Sequence, residues 1–311
     1  MTKLPPSSQN RDPVPVAALR RRTVDAYALE ARAKELGTRS IKADSQAAAN
    51  ELTIRCMDLT TLEGADTAGR VLALCNRARH PDPTDPSCPP VAAVCVYPSL
   101  VRVAVEAVAG STVKVASVAG AFPSGQSSLA NRLDDIATAV ADGADEIDIV
   151  INRGAFLSGD YELVHAEILA AKAACGQAHL KTILEVGELG SFEAIRWASM
   201  IAMGAGSDVI KTSTGKIGVS ATPPIALCMA EAIREFEADT GRSVGLKLAG
   251  GIRTAKQASH YLVLVNETLG SKWLDPDWFR FGASGLLNDV MLQRRFRSSG
   301  RYARPSDLPV D

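Results

Sequence analysis

Between Thr53 and Ser284 the hydrophobic pattern changes period repeatedly: short β-branched or apolar runs alternate with longer stretches whose apolar residues recur at helical spacing. Eight short runs stand out, TIRCMDL (53–59), AAVCVYP (92–98), VKVASVA (113–119), EIDIVIN (146–152), LKTILEV (180–186), DVIKTST (208–214), VGLKLAG (244–250) and FRFGAS (279–284). The intervals predict helices, among them Ser127–Asp142, Tyr161–Cys175, Ser191–Met203 and Pro223–Thr240. Parallel neighbours need long crossovers, so the alternation predicts parallel strands covered by helices. Eight repeats favour closure into an α/β (β/α)8 barrel of the TIM class over an open sheet. Outside this region, residues 1–15 are rich in proline and polar groups, Val16–Leu36 has helical spacing, and HPDPTDPSCPP (80–90) reads as a long loop. The expected organisation is a disordered or helical N-terminal extension over 1–50, a barrel over 51–298 and a C-terminal tail over 299–311.

Composition narrows the partners. The 311 residues are 46% hydrophobic and 22% charged, with a net charge of −1, which gives no electrostatic reason to expect nucleic acid or an anionic membrane. No apolar run reaches the roughly 18 residues of a spanning helix, and MTKLPPSSQNRDPVP lacks the apolar core of a secretory signal, so a soluble cytoplasmic protein is expected. The six cysteines are scattered without a C-x-x-C pair, and the four histidines are isolated, so neither a zinc site nor a Cys-His or Ser-His nucleophile is indicated. The basic segment QRRFRSSGRYARP is read as a solvated tail.

Two phosphate-binding fingerprints fail on position. Gly204-Ala205-Gly206 precedes a strand, whereas a dinucleotide turn must follow one. IKTSTGK ends like a P-loop, but Ile210 stands where the first glycine is required and Ile217 where Ser or Thr is required.

Four charges interrupt runs that a parallel barrel should fill with branched apolar side chains: Asp58, Asp148, Lys211 and Lys247. Ile147, Ile149 and Ile151 share one face of the fourth strand and leave Asp148 with Val150 on the other. Val244, Leu246 and Leu248 likewise leave Lys247 with Gly245 and Ala249. The simpler arrangement turns the bulky residues toward the helices and the charges toward the axis. An unpartnered buried ion costs several kcal/mol, so these groups should pair or shift their pKa values. Each charge alone also fits a structural ion network or a lysine reaching the rim; four on separate strands of one barrel favour a site. Glu185 is a candidate extension of the cluster, and Glu188 is read as part of a solvated loop.

A neutral lysine amine adds to a carbonyl carbon, and the protonated imine that results is an electron sink. Lowering a lysine pKa from about 10.4 to about 7 requires roughly 4 to 5 kcal/mol of cation destabilisation, which desolvation and a second ammonium can supply. The residues therefore suggest imine chemistry, without deciding which lysine attacks. Glycines after the seventh and eighth runs, Gly250, Gly251 and Gly282, with Ser284 opening a helix, are suited to cradle a phosphate where barrels often hold one. Gly215 and Lys216 can reach that corner from the sixth run. Tight turns and helix caps are the alternative role for each glycine taken singly.

These segments, together with DLTTL (58–62), VCVYP (94–98), VASVAGAFPSGQ (115–126), LKTILEVGEL (180–189), SDVIKTSTGK (207–216) and GLKLAGGIRT (245–254), resemble in order the deoxyribose-phosphate aldolase family of class I, Schiff-base aldolases. The resemblance implies reversible cleavage of 2-deoxy-D-ribose 5-phosphate to acetaldehyde and D-glyceraldehyde 3-phosphate in deoxynucleoside catabolism, with no metal and no diffusible cofactor. It implies that Lys211 forms the imine, that Lys247 lowers its pKa, and that Asp148 works with Lys247 as general acid/base through a water. Asp58 would orient a substrate hydroxyl, and Gly215, Lys216, Gly250, Gly251, Gly282 and Ser284 would hold the phosphate. The partners are then a small phosphosugar and an aldehyde, with neither nucleic acid nor membrane, and a homodimer is left open. Leu248 stands where the family often has proline, Gly285 where a second serine often follows, and Val186 where threonine is frequent; Tyr302 lies near the end, where some members carry a terminal tyrosine. Another lysine-dependent aldolase, or a phosphosugar-binding barrel without catalysis, is the alternative reading.

Overall fold

The computed structural model describes residues 12–301 and residue 304. Tyr302 and the expectations for residues 1–11 and for most of the C-terminal tail fall outside these described residues. Helices α1 (Ala26–Leu36) and α2 (Ala43–Arg55) precede β1 (Asp58–Thr60) and α3 (Ala68–Arg79). Next come β2 (Ala93–Val96), α4 (Val101–Val108), β3 (Lys114–Val118), α5 (Leu129–Ala141) and β4 (Glu146–Val150). A short α6 (Arg153–Leu157) and α7 (Tyr161–Ala174) lead to β5 (His179–Ile183), α8 (Phe192–Gly204) and β6 (Val209–Lys211). The chain ends through α9 (Pro223–Thr240), β7 (Gly245–Ala249), α10 (Ala255–Leu269), β8 (Phe279–Gly282) and α11 (Ser284–Ser299).

All eight strands pair in parallel with their sequence neighbours, in the order β1 to β8. The ends of the sheet meet through a parallel bridge between Met57 and Phe281, with the Phe281 N–H donating to the Cys56 carbonyl at 2.7 Å. This is the (β/α)8 barrel that the eight-fold alternation predicts. Local chemistry explains where its helices begin and end. Thr222 caps α9 by accepting from the Ile225 N–H, Pro223 supplies the first-turn φ, and Gly241 at φ 72° stops the helix. Thr254 and Gln257 form a reciprocal capping box at α10.

The first run is read differently by the structure. Thr53–Arg55 finish α2, with the Thr53 hydroxyl donating to the Ala49 carbonyl at 2.7 Å, and the strand starts only at Asp58. Ile54 and Met57 are fully buried, and a short apolar run of this kind has no period that separates a buried helix end from a strand. Helix α2 also runs continuously across residues 50 and 51. In the extension, α1 buries Leu29, Ala33 and Leu36 on the outside of the barrel, and the Val14 N–H donates to the Gly204 carbonyl at 2.9 Å.

The isoleucines of β4 are buried as parity requires, yet the barrel axis is not the usual stack of branched side chains. Asp58, Glu146, Asp148, Lys181, Lys211, Lys247 and Arg280 are all buried, and they bond to one another from β1, β4, β5, β6, β7 and β8. Only side chains directed at the axis can join strands that lie across a barrel in this way.

Candidate active site

The buried charges form a closed ring. Lys247 Nζ lies 2.6 Å from Asp58 Oδ2 and 3.0 Å from Asp148 Oδ2. Asp148 Oδ1 accepts from Lys181 at 2.8 Å, and Lys181 also pairs with Glu146 at 2.5 Å. Arg280 joins Glu146 at 2.9 Å to Asp58 at 2.6 Å and completes the circuit. Three carboxylates alternate with three cations, so each ring cation has two carboxylate partners and the ring is neutral. Lys211 hangs outside it, with one ion pair, 2.8 Å from the Asp148 oxygen that Lys247 already shares.

Register explains the crowding. Lys211 and Lys247 are direct partners across the parallel pair β6–β7, and Lys247 is the partner of Arg280 across β7–β8. Three inward cations therefore sit side by side at one level. Burial opposes the charged form of all of them, but the outcome differs. For Lys211, burial pushes the pKa down, Asp148 opposes that, and the neighbouring Lys247 cation pushes it down again, leaving it below the ordinary lysine value. For Lys247, burial also pushes downward but the Asp148 and Asp58 carboxylates outweigh it, so this amine is held cationic. Asp148 stays ionised: burial would raise its pKa, and Lys181, Lys211 and Lys247 together hold it well below the carboxylate range. Burial pushes the nearby Cys95 thiol up to about 11, which keeps it protonated at neutral pH.

Lys211 also opens onto a cavity of about 280 Å3 at the carboxyl ends of the strands, lined further by Thr214, Gly215, Lys216, Gly250, Gly282 and Ser284. Five of the six residues expected to hold phosphate thus share one wall with Lys211, and Gly251 does not line it. The cavity adds Thr60, Thr61, Glu63 and Arg70, which the sequence reading did not single out. Lys216 reaches across it to pair with Glu63 at 2.9 Å. Ser284 sits at the start of α11, and its hydroxyl accepts from the Thr60 N–H at 2.8 Å. A Cβ on Gly282 would fall 3.0 Å from the Ala249 Cβ and 3.2 Å from the Lys247 Cε, so a bare α-carbon is what lets β8 approach β7 here. A cleft of about 630 Å3 between α1 and helices α8 and α9 is larger but lies outside the barrel, so size does not pick out the site; the buried charges do.

Glu146, Lys181 and Arg280 are the ring members that the sequence reading missed. Glu146 shares the parity of Asp148 two residues on, Lys181 stands between the buried Leu180 and Thr182, and Arg280 between the buried Phe279 and Phe281, so the signal was present at the edges of the runs. Glu185 does not extend the lysine cluster. It is fully buried, but its carboxylate accepts from the Thr214 hydroxyl at 2.5 Å and the Thr214 N–H at 3.2 Å. Glu188 is exposed, as expected, and pairs with Arg153 at 2.9 Å. Among the described residues no group of three or more His, Cys, Asp or Glu is placed to hold a metal ion, and no helix is long and apolar enough to cross a membrane.

The pattern of the DeoC/LacD family aldolases matches residues 52–286 of this chain. The chain belongs to that family. It is 49% identical over 298 residues to the deoxyribose-phosphate aldolase of Mus musculus, a match covering 92% of this chain and 94% of that protein. The deoxyribose-phosphate aldolase of Homo sapiens is also 49% identical, with 88% of this chain and 89% of that protein covered. Among solved structures, the tetrameric deoxyribose phosphate aldolase from Aeropyrum pernix superposes with a TM-score of 0.60 at 24% identity, covering 84% of this chain and all of that one, a likeness of fold. The span matched to the family contains every member of the charged ring, Lys211 and the whole cavity wall described above.

Proposed function

We propose that this DeoC/LacD-family aldolase cleaves 2-deoxy-D-ribose 5-phosphate reversibly to acetaldehyde and D-glyceraldehyde 3-phosphate through an imine on Lys211. The observation that carries the reading is the exclusion of Lys211 from an otherwise neutral ring of buried charges, at the point where the ring meets a glycine-lined cavity. Its neutral amine adds to the C1 aldehyde and, with loss of water, gives an iminium. A base then takes the C3 hydroxyl proton, the C2–C3 bond breaks, and its electron pair moves into the iminium to leave an enamine and free D-glyceraldehyde 3-phosphate. Protonation at C2 and addition of water release acetaldehyde and restore the amine. Asp148, ionised and bonded to both lysines, acts with Lys247 through a water as the acid/base pair. Asp58 holds Lys247 and orients the sugar.

Lys216, with the Gly215, Gly250 and Gly282 backbone and the Ser284 hydroxyl, receives the phosphate, an anion that this rim suits through N–H groups, a lysine and the start of α11. The same reading gives a cytoplasmic protein whose partners are small molecules, in keeping with cysteines that are all unpaired; sedimentation tests the homodimer left open above.

Acetaldehyde release is the direct assay. Wild type should release it from 2-deoxyribose 5-phosphate, and Lys211→Arg, which cannot form the imine, should fall to background. Borohydride with acetaldehyde should label the peptide that carries Lys211. Labelling at Lys247 instead would reverse the two lysines' roles, and turnover without any trapped imine would sink the mechanism.

A further inference from the structure

Glu185 carries a buried carboxylate that the reaction above does not use. It is also a non-glycine residue in the left-handed region, at φ 54° and ψ 57°, a strained backbone state that persists only where the surroundings hold it. A glycine would relieve that backbone, and an apolar side chain would avoid burying a charge. The groups facing Glu185 explain what it does. Both carboxylate oxygens are spent on Thr214, one on its N–H and one on its hydroxyl, and the Thr214 oxygen in turn accepts from the Lys216 N–H at 3.0 Å. On either side of Glu185 the backbone is tied to the same segment: the Leu184 N–H donates to the Lys211 carbonyl at 2.9 Å and the Val186 N–H to the Thr212 carbonyl at 3.0 Å. Arg153 stands 3.8 Å from the carboxylate and also donates to the Ser124 carbonyl at 2.7 Å, which links the loops after β3, β4 and β5.

We propose that Glu185 is a positioning residue for substrate phosphate: through Thr214 it fixes the turn that presents Gly215 and Lys216 to the cavity. The inference rests on the function proposed above. Glu185 does not itself line the cavity. The amine of Lys211 belongs to β6 and is held by the sheet and by Asp148, whereas Gly215 and Lys216 lie beyond the strand, where the ladder no longer holds them. Loss of the carboxylate therefore loosens the phosphate grip and leaves the imine-forming amine in place. A charge-assisted acceptor is suited to that task because it is roughly twice as strong as a neutral one.

The test compares 2-deoxyribose 5-phosphate with phosphate-free 2-deoxyribose in wild type, Glu185→Gln and Glu185→Gly. The glycine variant removes the buried charge and the backbone strain together, so it folds even if the glutamine variant does not. For the phosphorylated sugar KM should rise about tenfold to a hundredfold in both variants, with kcat within about threefold of wild type. For the phosphate-free sugar kcat/KM should stay within about threefold. Equal losses on the two sugars, a fall in kcat that matches the fall in kcat/KM, or no change at all would overturn the positioning role. A wild type that turns over neither sugar would instead overturn the function on which the proposal rests.

Discussion

Lys211 and Lys247 are neighbours in register, yet the ring gives Lys247 two carboxylates and leaves Lys211 only a share of Asp148, which also pairs with Lys181 and Lys247. If every group were ionised, the site would hold four cations against three carboxylates, and the proton most easily given up is that of the lysine outside the circuit. The two neighbours of Lys211 then act with opposite sign. Removing Lys247 takes away a cation that destabilises the charged form of Lys211, so Lys247→Met should raise the Lys211 pKa. Removing the charge of Asp148 takes away the carboxylate that stabilises it, so Asp148→Asn should lower the pKa. The rate of borohydride-trapped imine formation rises with pH as the amine deprotonates, with a midpoint below the ordinary lysine value. That limb should move to higher pH in Lys247→Met and to lower pH in Asp148→Asn. Turnover should drop about 10²- to 10⁴-fold in both, since each loses part of the acid/base pair, and stability should fall by about 3 to 5 kcal/mol because each leaves buried charge unmatched. Circular dichroism selects the conditions in which the variants remain folded, and limbs moving in the same direction would contradict the assignment.

Strands and the turns after them set how much of this was legible. Alternation of period located seven of the eight strands, whereas only the last two residues of the first run belong to β1, and parity placed Asp148 and Lys247 inward because three bulky residues on each strand claim the opposite face. Glu146, Lys181 and Arg280 obey the same parity but lie at or near run edges, where an inward charge resembles a boundary residue; the sequence carries their direction without the cross-barrel distances that join them. The cavity wall was legible where glycines cluster and illegible at Thr60, Glu63 and Arg70, which come from the end of β1, the loop after it and the first turn of α3. Two glycines with different surroundings test that wall. Gly250 has φ +83° and its added Cβ would collide with the Ser220 side chain, so Gly250→Ala forces Ser220 aside and strains the turn after β7. About 1 to 3 kcal/mol of stability should be lost in urea unfolding, and KM for the phosphorylated sugar should rise. Gly285, in the first turn of α11, meets nothing within 4 Å and has no positive φ. Gly285→Ser should fold without penalty, gain about 0.5 kcal/mol at most because serine is a better helix former than glycine, and lower the KM for the phosphorylated sugar by adding a hydroxyl beside Ser284.

For the whole molecule, a barrel axis built from ions ties folding to pH. Asp58, Glu146 and Asp148 all have carboxyl pKa values below their ordinary range: burial would raise each, and Lys247 and Arg280 on Asp58, Arg280 and Lys181 on Glu146, and the three lysines on Asp148 more than reverse it. In the unfolded chain the same groups titrate near 4. As pH falls below about 5 the unfolded chain therefore takes up protons that the folded barrel refuses, and stability declines by up to about 1.4 kcal/mol per pH unit for each carboxylate. The stabilisation is complete above the unfolded pKa and disappears as pH falls through the folded values. Arg280 offers a way to separate this ring from carboxylates elsewhere on the protein, because it bridges Asp58 and Glu146 without contacting Asp148. Arg280→Met leaves those two carboxylates with one cation each, so their folded-state pKa values rise toward the unfolded ones, and the acid limb, whose onset the unfolded chain sets, should level off at higher pH and lose less stability in all. Urea unfolding followed from pH 7 to pH 3 would show this as a smaller total decline than in wild type, starting from a lower stability at neutral pH because a buried ion's partner has been removed. An acid limb that keeps its wild-type slope and depth in Arg280→Met would mean that surface carboxylates govern acid unfolding and that the axial ring contributes nothing to it.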